Sequence, residues 1–352
     1  MDISLFYFAN DSGGPDGAGG DRYRLLLEGA RFADTHGFTA VWTPERHFHP
    51  FGGQYPNPSV TSAAIATITD RVAIRAGSVV APLHHPLRIA EEWSVVDNLS
   101  GGRVGISFAS GWHAADYALR PENYADRKRL LGEYVRTVRA LWRGESVPVT
   151  NGLGEEQRLR IYPPPVQPEL PVWVTSAGGV ETFRRAGEMG AGVLTHLLDQ
   201  DLDALADKIA QYRKALAGRP DADEWPGHVA LMIHTYLDED VDAAREVVRA
   251  PLTEYMRSSM GLMKGAQVAG NRTIDMSRLS AEDTDFLLRR AFDRYVDFGM
   301  LGTVATAGEA VGRFAEIGVD ELACLIDFGL PADAVLAGLT RLDQVRRAVS
   351  ER

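Results

Sequence analysis

The chain has 352 residues, a length that fits two average domains or one large α/β barrel, and 45% of them are hydrophobic, as in ordinary folded proteins. The 48 acidic residues outnumber the 37 basic ones and give a net charge of −11, which argues against a nucleic-acid-binding protein. The single cysteine, Cys324, excludes an intramolecular disulfide, and no apolar run reaches the roughly 18 residues of a membrane span.

The chain begins without the basic start and apolar run of a signal peptide, so we expect a cytoplasmic protein. Short apolar runs bounded by turn residues predict eight strands, at residues 3–9, 38–42, 72–81, 104–109, 171–175, 193–196, 229–237 and 321–327. Each is followed by a segment with helical spacing, at 23–36, 57–69, 87–99, 126–142, 180–189, 201–216, from 241 onward, and 331–349. The proline-rich residues 144–170 predict an irregular excursion.

Eight strand signals that alternate with helix signals predict a (β/α)8 TIM barrel with insertions. Residues 1–352 are expected to form one domain, with a helical insertion at about 250–300, where the helical pattern is longer than a barrel helix needs. The alternative is a doubly wound open sheet with a dinucleotide fingerprint after the first strand. Gly17-Ala18-Gly19 lies there, but Arg22 occupies the place of the third glycine, which favours the barrel.

Active sites of such barrels lie at the carboxyl ends of the strands, so the residues after each strand are the first candidates. Five of the seven residues 43–49 are polar or ionisable, directly after the second strand. We predict acid–base or polar ligand contact by His47, with Glu45 and Arg46 beside it as the other catalytic residues. A salt-bridged loop is the alternative interpretation, and His47 with His49 is also half of a possible metal site.

Two further loops carry aromatic or imidazole groups. After the third strand, prolines flank His84 and His85, and these histidines either face the site or cap the next helix. After the fourth strand, Ser110, Gly111 and Trp112 suit the close approach of a flat ring, although a tight turn with a core tryptophan has the same pattern.

The fifth and eighth strands end in residues with two interpretations each. Ser176-Ala177-Gly178-Gly179 opens a helix, where backbone N–H groups can bind a phosphate, although ordinary helix caps look alike. Asp327 ends the eighth strand, so it either lines the site or caps the following helix.

Several of these segments, in this order and spacing, resemble the bacterial luciferase-like flavin-dependent monooxygenases. The resemblance covers nearly the whole chain and rests on the start of the first strand and on residues 45–48, 81–86, 91–103 and 171–178. The ending at 317–329 is similar to a subgroup found beside natural-product assembly lines.

The resemblance implies a barrel, usually a homodimer, that binds FMN at the carboxyl end of its strands. Reduced FMN then comes from a separate flavin reductase and reacts with O2 to give a flavin C4a-peroxide. This species oxygenates a small or carrier-bound natural-product intermediate, by hydroxylation, N-oxygenation or Baeyer–Villiger insertion. No metal, membrane or nucleic acid is expected.

The resemblance also implies which residues meet the cofactor. They are Gly77, Ser78, Val79, Ser110, Gly111, Trp112, Ser176, Ala177, Gly178 and Gly179. Ser176 and Gly179 are expected at the phosphate, while Ser110 stands where the family often has an arginine. Gly77, Ser78 and Val79 are expected under the isoalloxazine, at a non-proline cis peptide.

His47 matches the second histidine of the family's Glu-His-His-Phe motif, and the first is Arg46 here. The base of the luciferases is therefore missing, and we expect no light emission. Arg46 is expected to bind an anionic substrate group bidentately instead.

Three alternatives stay open. One is an F420-dependent hydride-transfer oxidoreductase, although the net charge of −11 gives no support for that cofactor's anionic tail. The second is a metal-dependent barrel hydrolase built on His47, His49, His84 and His85, and the third is a non-catalytic flavin-binding partner subunit. Residues 13–20 and 258–272 are the predicted lids, because both are rich in small residues and lie beside barrel loops.

Overall fold

A computed structural model describes residues 1–10, 22–198, 200–220, 225–264 and 280–350. The strands are β1 (Asp2–Phe6), β2 (Ala40–Thr43), β3 (Ala73–Val80), β4 (Val104–Ala109), β5 (Val147–Thr150), β6 (Glu156–Leu159), β7 (Val172–Ser176), β8 (Gly192–His196), β9 (Val229–His234), β10 (Tyr236–Leu237), β11 (Leu301–Gly302) and β12 (Glu321–Leu325). The helices are α1 (Arg24–His36), α2 (Pro58–Ala66), α3 (Pro86–Ser100), α4 (Arg127–Trp142), α5 (Val180–Glu188), α6 (Leu202–Ala217), α7 (Val241–Lys264), α8 (Ala281–Asp297), α9 (Val304–Glu316) and α10 (Ala332–Ser350).

Eight parallel strands close into a barrel in the order β1-β12-β9-β8-β7-β4-β3-β2. The last strand pairs with the first, with Asp2 opposite Glu321 and Phe6 opposite Leu325, which leaves no open edge. The predicted (β/α)8 barrel is confirmed, and the open-sheet alternative is wrong. Among the described residues, no helix is both long and apolar enough to cross a membrane.

A polar cluster fills the amino-terminal half of the barrel interior. The guanidinium of Arg75 lies over the rings of Trp42 and Trp173 and contacts Glu321 at 2.5 Å, while Trp42 Nε1 donates to the same carboxylate at 2.7 Å. Burial raises the pKa of Glu321, but the charges of Arg75 and His228 lower it below its usual range. With this end filled, the opposite, carboxyl end of the strands is the place for a ligand.

Two predictions of secondary structure are wrong in detail. Residues 144–170 contain an antiparallel hairpin of β5 and β6, whose turn forms because the Asn151 side chain accepts from the N–H groups of Leu153 and Glu155. The strand predicted at 229–237 is broken at Thr235, whose N–H donates to Leu325 O of the barrel. The next residue, Tyr236, pairs instead with Leu301 of β11.

Residues 250–300 contain most of the long α7 and all of α8, as the helical pattern predicted. The assignment of these helices to an insertion within a single domain stays a prediction. The following helix, α9, was not predicted. Its signal is present in the sequence, since Thr303 and Thr306 form a capping box and Ala307, Ala310 and Phe314 form its buried face.

Candidate functional site

Glu45 joins the loops that follow β2 and β3. Its Oε1 lies 2.8 Å from Nε2 of His47 and 2.6 Å from Nε2 of His84, and its Oε2 accepts from the N–H of Val80 at 2.7 Å. The Glu45 side chain is completely buried, whereas His47 is 10% and His84 23% exposed. The carboxylate therefore lies behind the two rings, and the rings are the groups that a ligand can reach.

The charges of this cluster support one another. Burial raises the pKa of Glu45, but the hydrogen bonds from His47 and His84 outweigh it and hold that pKa below its usual range. Burial lowers the pKa of His84, yet the bond to Glu45 and its charge raise it above the usual value. An ionised Glu45 fixes hydrogen on both Nε2 atoms, which leaves each Nδ1 as the proton-accepting nitrogen of a neutral ring.

The other two histidines of these loops serve the backbone. His85 is exposed, and its Nδ1 accepts from the N–H of Leu87 at the start of α3, so His85 is the helix cap and His84 faces the site. His49 Nδ1 accepts from the N–H of Phe51. The four histidines of the hydrolase alternative are therefore not directed at one point.

In the described part of the chain, one group of three side chains is close enough to share a metal ion, and it comprises Asp2, His228 and Glu321. It lies at the amino-terminal end of the barrel, where Glu321 is already paired with Arg75. This group is remote from the predicted site.

Arg46 reaches the loop after β4. Its Nη1 donates to Asp116 Oδ2 at 3.0 Å, and its guanidinium lies 5.6 Å from the ring of Trp112. Asp116 Oδ1 is 3.3 Å from Nδ1 of His113. Burial lowers the pKa of Arg46, against the opposing effect of Asp116. Because Trp112 is 43% exposed, the interpretation of it as a core tryptophan is wrong.

Hydroxyl groups from three neighbouring strands meet inside the barrel. Thr175 Oγ1 of β7 lies 2.5 Å from Ser78 Oγ of β3 and 2.7 Å from Ser107 Oγ of β4. The Gly77–Ser78 peptide is cis, as the family resemblance implied. A side chain at Gly77 would come within 2.6 Å of the Phe6 ring, so glycine is required there for packing.

Ser110 and Gly111, two further residues expected to contact the flavin ring, lie in the loop after β4. Ser110 O accepts from Tyr117 Oη at 2.5 Å, and its own hydroxyl donates to Gly111 O at 3.4 Å. Gly111 has φ +66°, and a Cβ there would come within 2.7 Å of Val80, which is itself the neighbour of the buried Val79.

The turn between β7 and α5 has the features of an anion site. Gly179 caps α5, and Ser176 Oγ accepts from the N–H of Gly178, which adopts φ +108°. A Cβ on Gly178 would lie 3.5 Å from Nζ of Lys208 in α6 and 3.6 Å from Oε1 of Gln200. Ala177 is exposed beside it. Lys208 thus places a cation at the amino terminus of α5. The family often has an arginine near the phosphate, and this chain has the uncharged Ser110 at that position.

Lys208 was missed because it lies about thirty residues beyond the turn, in a helix whose exposed basic residues look alike in sequence. The packing of α5 against α6 brings it there. Its Nζ also donates to Gln200 Oε1 at 2.7 Å.

Asp327 is inside the barrel mouth and does not cap α10. It accepts from Tyr55 Oη at 2.8 Å, and burial raises its pKa to about 6 although the Tyr55 bond lowers it. His234, at the end of β9, is enclosed by Tyr255 and Phe328, and burial lowers its pKa to about 3. Tyr55 and His234 were not predicted, because neither stands in a polar run.

The two predicted lids are described only in small part. Residues 13–20 lie outside the described residues, as do 265–272 of the second segment. Residues 258–264 continue helix α7, and Leu262 is buried there.

Comparison with known proteins gives a family, a flavin-dependent relative and an F420-dependent relative. The family model described as luciferase-like monooxygenase matches residues 1–321. The oxygenase component of a flavin-dependent trigonelline monooxygenase from Acinetobacter baylyi is 26% identical over 343 residues, which cover 94% of this chain and 90% of that protein. An F420-dependent glucose-6-phosphate dehydrogenase from Gordonia bronchialis is 29% identical over 271 residues, 74% of this chain and 76% of that protein.

A solved structure has the same architecture. The oxygenating constituent of 3,6-diketocamphane monooxygenase from Pseudomonas putida, in complex with FMN, superposes with a TM-score of 0.72 and 17% identity and covers 100% of this chain and 98% of its own. At this identity the likeness shows the fold alone.

Proposed function

The chain belongs to the luciferase-like monooxygenase family, and we propose that it is the oxygenating component of an FMN-dependent monooxygenase. In this proposal it takes reduced FMN from a separate reductase and O2 from solution, and it oxygenates a small or carrier-bound natural-product intermediate. The oxygenase-component relative supports a separate reductase.

The single observation that carries the proposal is the pairing of Lys208 with the amino terminus of α5. In the described part of the chain no side chain caps this terminus, so its N–H groups and the helix dipole favour an anion there. The Lys208 ammonium group adds a full positive charge. The space beside Gly178 is open, since an added Cβ would meet nothing closer than 3.5 Å. The residues present therefore fit the phosphate end of FMN.

The charges around this terminus favour FMN over F420. F420 has a longer anionic tail, which calls for a basic groove beyond the first phosphate. In α5 the two arginines are already neutralised, because Arg184 and Arg185 both contact Glu181 and Arg184 also contacts Glu188. The Lys208 ammonium, whose described hydrogen-bond partner is the uncharged Gln200, suits one phosphate better than an extended tail.

When bound, reduced FMN would supply the activation of O2 and the transfer of one oxygen atom to the substrate. The chain's own groups bind, orient and exchange protons. We assign proton transfer to Nδ1 of His47 or His84, and we assign Glu45 the positioning of both rings, because its carboxylate is fully buried. Ser78 and Trp112 are assigned to contact with the flavin ring.

Anaerobic equilibrium dialysis against reduced FMN, reduced riboflavin and reduced F420 tests the cofactor assignment. We expect FMN to bind most tightly, with riboflavin weaker because it lacks the phosphate. Tighter binding of F420 than of FMN would favour hydride transfer, as in the Gordonia bronchialis relative, and would contradict the proposal.

A further inference from the structure

Arg46 is a buried arginine that does not use all of its donors. The residue is 6% exposed, and its Nη1 is held by Asp116 at 3.0 Å. Its Nε and Nη2 are also shielded from solvent, and in the part of the chain that the structure describes neither has a hydrogen-bond partner. Two N–H donors of one guanidinium are therefore unused in a buried position.

Arg103, a partly buried arginine with a structural role, has a different environment. Arg103 donates from Nε to Ser100 O, from Nη1 to Val72 O and from Nη2 to Thr69 O. All three of its nitrogens are engaged by fixed acceptors, as buried polar groups usually are. Leaving two charged donors without acceptors is costly, so the state of Arg46 indicates an acceptor that is not among the described residues of the chain.

The two unused nitrogens are the ones that form one edge of the guanidinium plane. Hydrogens on Nε and Nη2 point the same way, nearly parallel, at a spacing that matches the two oxygens of a carboxylate. The third nitrogen is anchored by Asp116, and Asp116 is in turn contacted by His113. The edge is therefore held in one orientation before any ligand arrives.

The location separates this edge from the cofactor's phosphate. Arg46 follows β2, whereas the α5 terminus follows β7, and β3 and β4 lie between them in the barrel. On its other side, the Arg46 guanidinium lies 5.6 Å from the half-exposed ring of Trp112. The neighbouring residue His47 is one of the two proton-transfer groups assigned above.

We propose that the Nε–Nη2 edge of Arg46 binds a carboxylate of the substrate, and that the protein therefore acts on carboxylate-bearing molecules. The bound carboxylate supplies the missing acceptors, and it fixes the substrate beside His47. Asp116 and His113 act as positioning residues for the guanidinium. The inference rests on the proposed function, in that it takes this barrel mouth to be the substrate site.

The test uses the whole chain without flavin, labelled with 15N, and follows the arginine Nε–H resonances. Acetate and benzoate are titrated in, each against its neutral amide, acetamide and benzamide. We expect one Nε–H resonance to shift saturably with a carboxylate and not with the matched amide. That resonance should be absent from the Arg46→Lys variant, which keeps the charge and loses the planar edge.

Backbone amide resonances, which both proteins have, report the affinity of the wild type and of the variant. By this measure Arg46→Lys should weaken carboxylate binding about tenfold or more, the value expected for loss of a charged hydrogen bond. Arg129→Lys is the matched control, because Arg129 is 57% exposed and already paired with Asp126 and Glu133. Equal shifts with carboxylate and amide, no shift with either carboxylate, or unchanged affinity in Arg46→Lys would each overturn the proposal. The contrast between carboxylate and amide in the wild type keeps the test valid if the variant does not fold.

Failure here is distinguishable from failure of the proposed function. A chain that binds reduced FMN but shows no carboxylate-specific shift refutes the role of Arg46 alone. A chain that shows the shift but binds no FMN keeps the carboxylate site and loses the monooxygenase assignment.

Discussion

Glu45 shows how one buried carboxylate can set the properties of two neighbouring rings. It accepts from His47 and His84 through the same oxygen, and it ties both to the backbone at Val80. A group so enclosed acts through the rings rather than on a ligand. Its effect should therefore be visible in how His84 titrates.

In Glu45→Gln, the negative charge that raises the pKa of His84 is gone, so His84 should lose its proton at a lower pH than in the wild type. NMR titration of the His84 ring measures this. His85 is the internal control, because its lowered pKa comes from burial and Arg120 and not from Glu45. An unchanged His84 titration would show that Glu45 does not control the ring. Turnover should also fall by about tenfold or more.

Lys208 is expected to make the affinity for FMN higher than the affinity for riboflavin. Lys208→Gln removes the positive charge that Lys208 places at the α5 terminus, so FMN affinity should fall about tenfold while riboflavin affinity stays nearly constant. Dialysis with the two reduced flavins measures both. Lys214→Gln is the matched control, since Lys214 is exposed in the last turn of the same helix. Equal losses for both flavins would mean that Lys208 does not meet the phosphate.

Asp327 makes stability depend on pH in a predictable direction. Its pKa is raised from 3.8 to about 6 by burial, so the folded state holds its proton more tightly than the unfolded state. Stability from this group is therefore fully present below about pH 4 and is lost as the pH rises to about 6, by at most about 3 kcal/mol.

Asp327→Asn keeps an acceptor for Tyr55 and cannot ionise. The difference in unfolding free energy between variant and wild type should therefore grow in the variant's favour from pH 4 to 6 and stay level above it. Urea unfolding at several pH values measures this difference. A difference that is constant from pH 4 to 8 would contradict a buried, neutral-preferring carboxyl group.

At the scale of elements, the α5–α6 contact positions the candidate phosphate site. Gly187 allows it, because a Cβ there would lie 2.5 Å from the backbone oxygen of Tyr212 and 2.9 Å from the nitrogen of Leu216. Backbone atoms cannot yield as the end of a flexible side chain can. The two helices can approach this closely only with glycine at this position.

Gly187→Ala should push α5 away from α6, lower the unfolding free energy by about 1–3 kcal/mol and weaken FMN binding together with it. Gly132→Ala is the control, because a Cβ in α4 would meet only the Arg136 side chain at 3.6 Å. That change should be neutral or stabilising by up to about 1 kcal/mol. If Gly187→Ala destabilises without loss of FMN affinity, the α5–α6 contact does not position the phosphate site.

The sequence predicted features that depend on neighbouring residues in the chain. The run of charged and aromatic groups after β2 marked Glu45 and His47, and the glycine-flanked turn marked the start of α5. The sequence could not show which of His84 and His85 faces the site and which caps α3. The answer depends on which of the two rings accepts from the N–H of Leu87, and in the structure it is His85. The break at Thr235 depends on a partner in another strand, Leu325.

At the scale of the molecule, the alternation of strands and helices was enough to predict a closed barrel, and with it the end at which the candidate site is expected. The pairs that give the site its chemistry join distant parts of the chain, such as Tyr55 with Asp327 and Gly178 with Lys208. Only closure of the barrel and packing of neighbouring helices bring them together. The two ends of the barrel interior differ, because the Arg75–Glu321 pair fills the amino end and the carboxyl end is left for ligands.

Rapid mixing tests whether the chain uses reduced FMN to activate O2. The protein, loaded anaerobically with reduced FMN and shown by dialysis to have bound it, is mixed with oxygenated buffer while the flavin absorbance is followed. We expect an oxygen-dependent species that differs from reduced and oxidised FMN and outlives the reoxidation of free FMN. Bound flavin that reoxidises as fast as free FMN, with no such species, would contradict it.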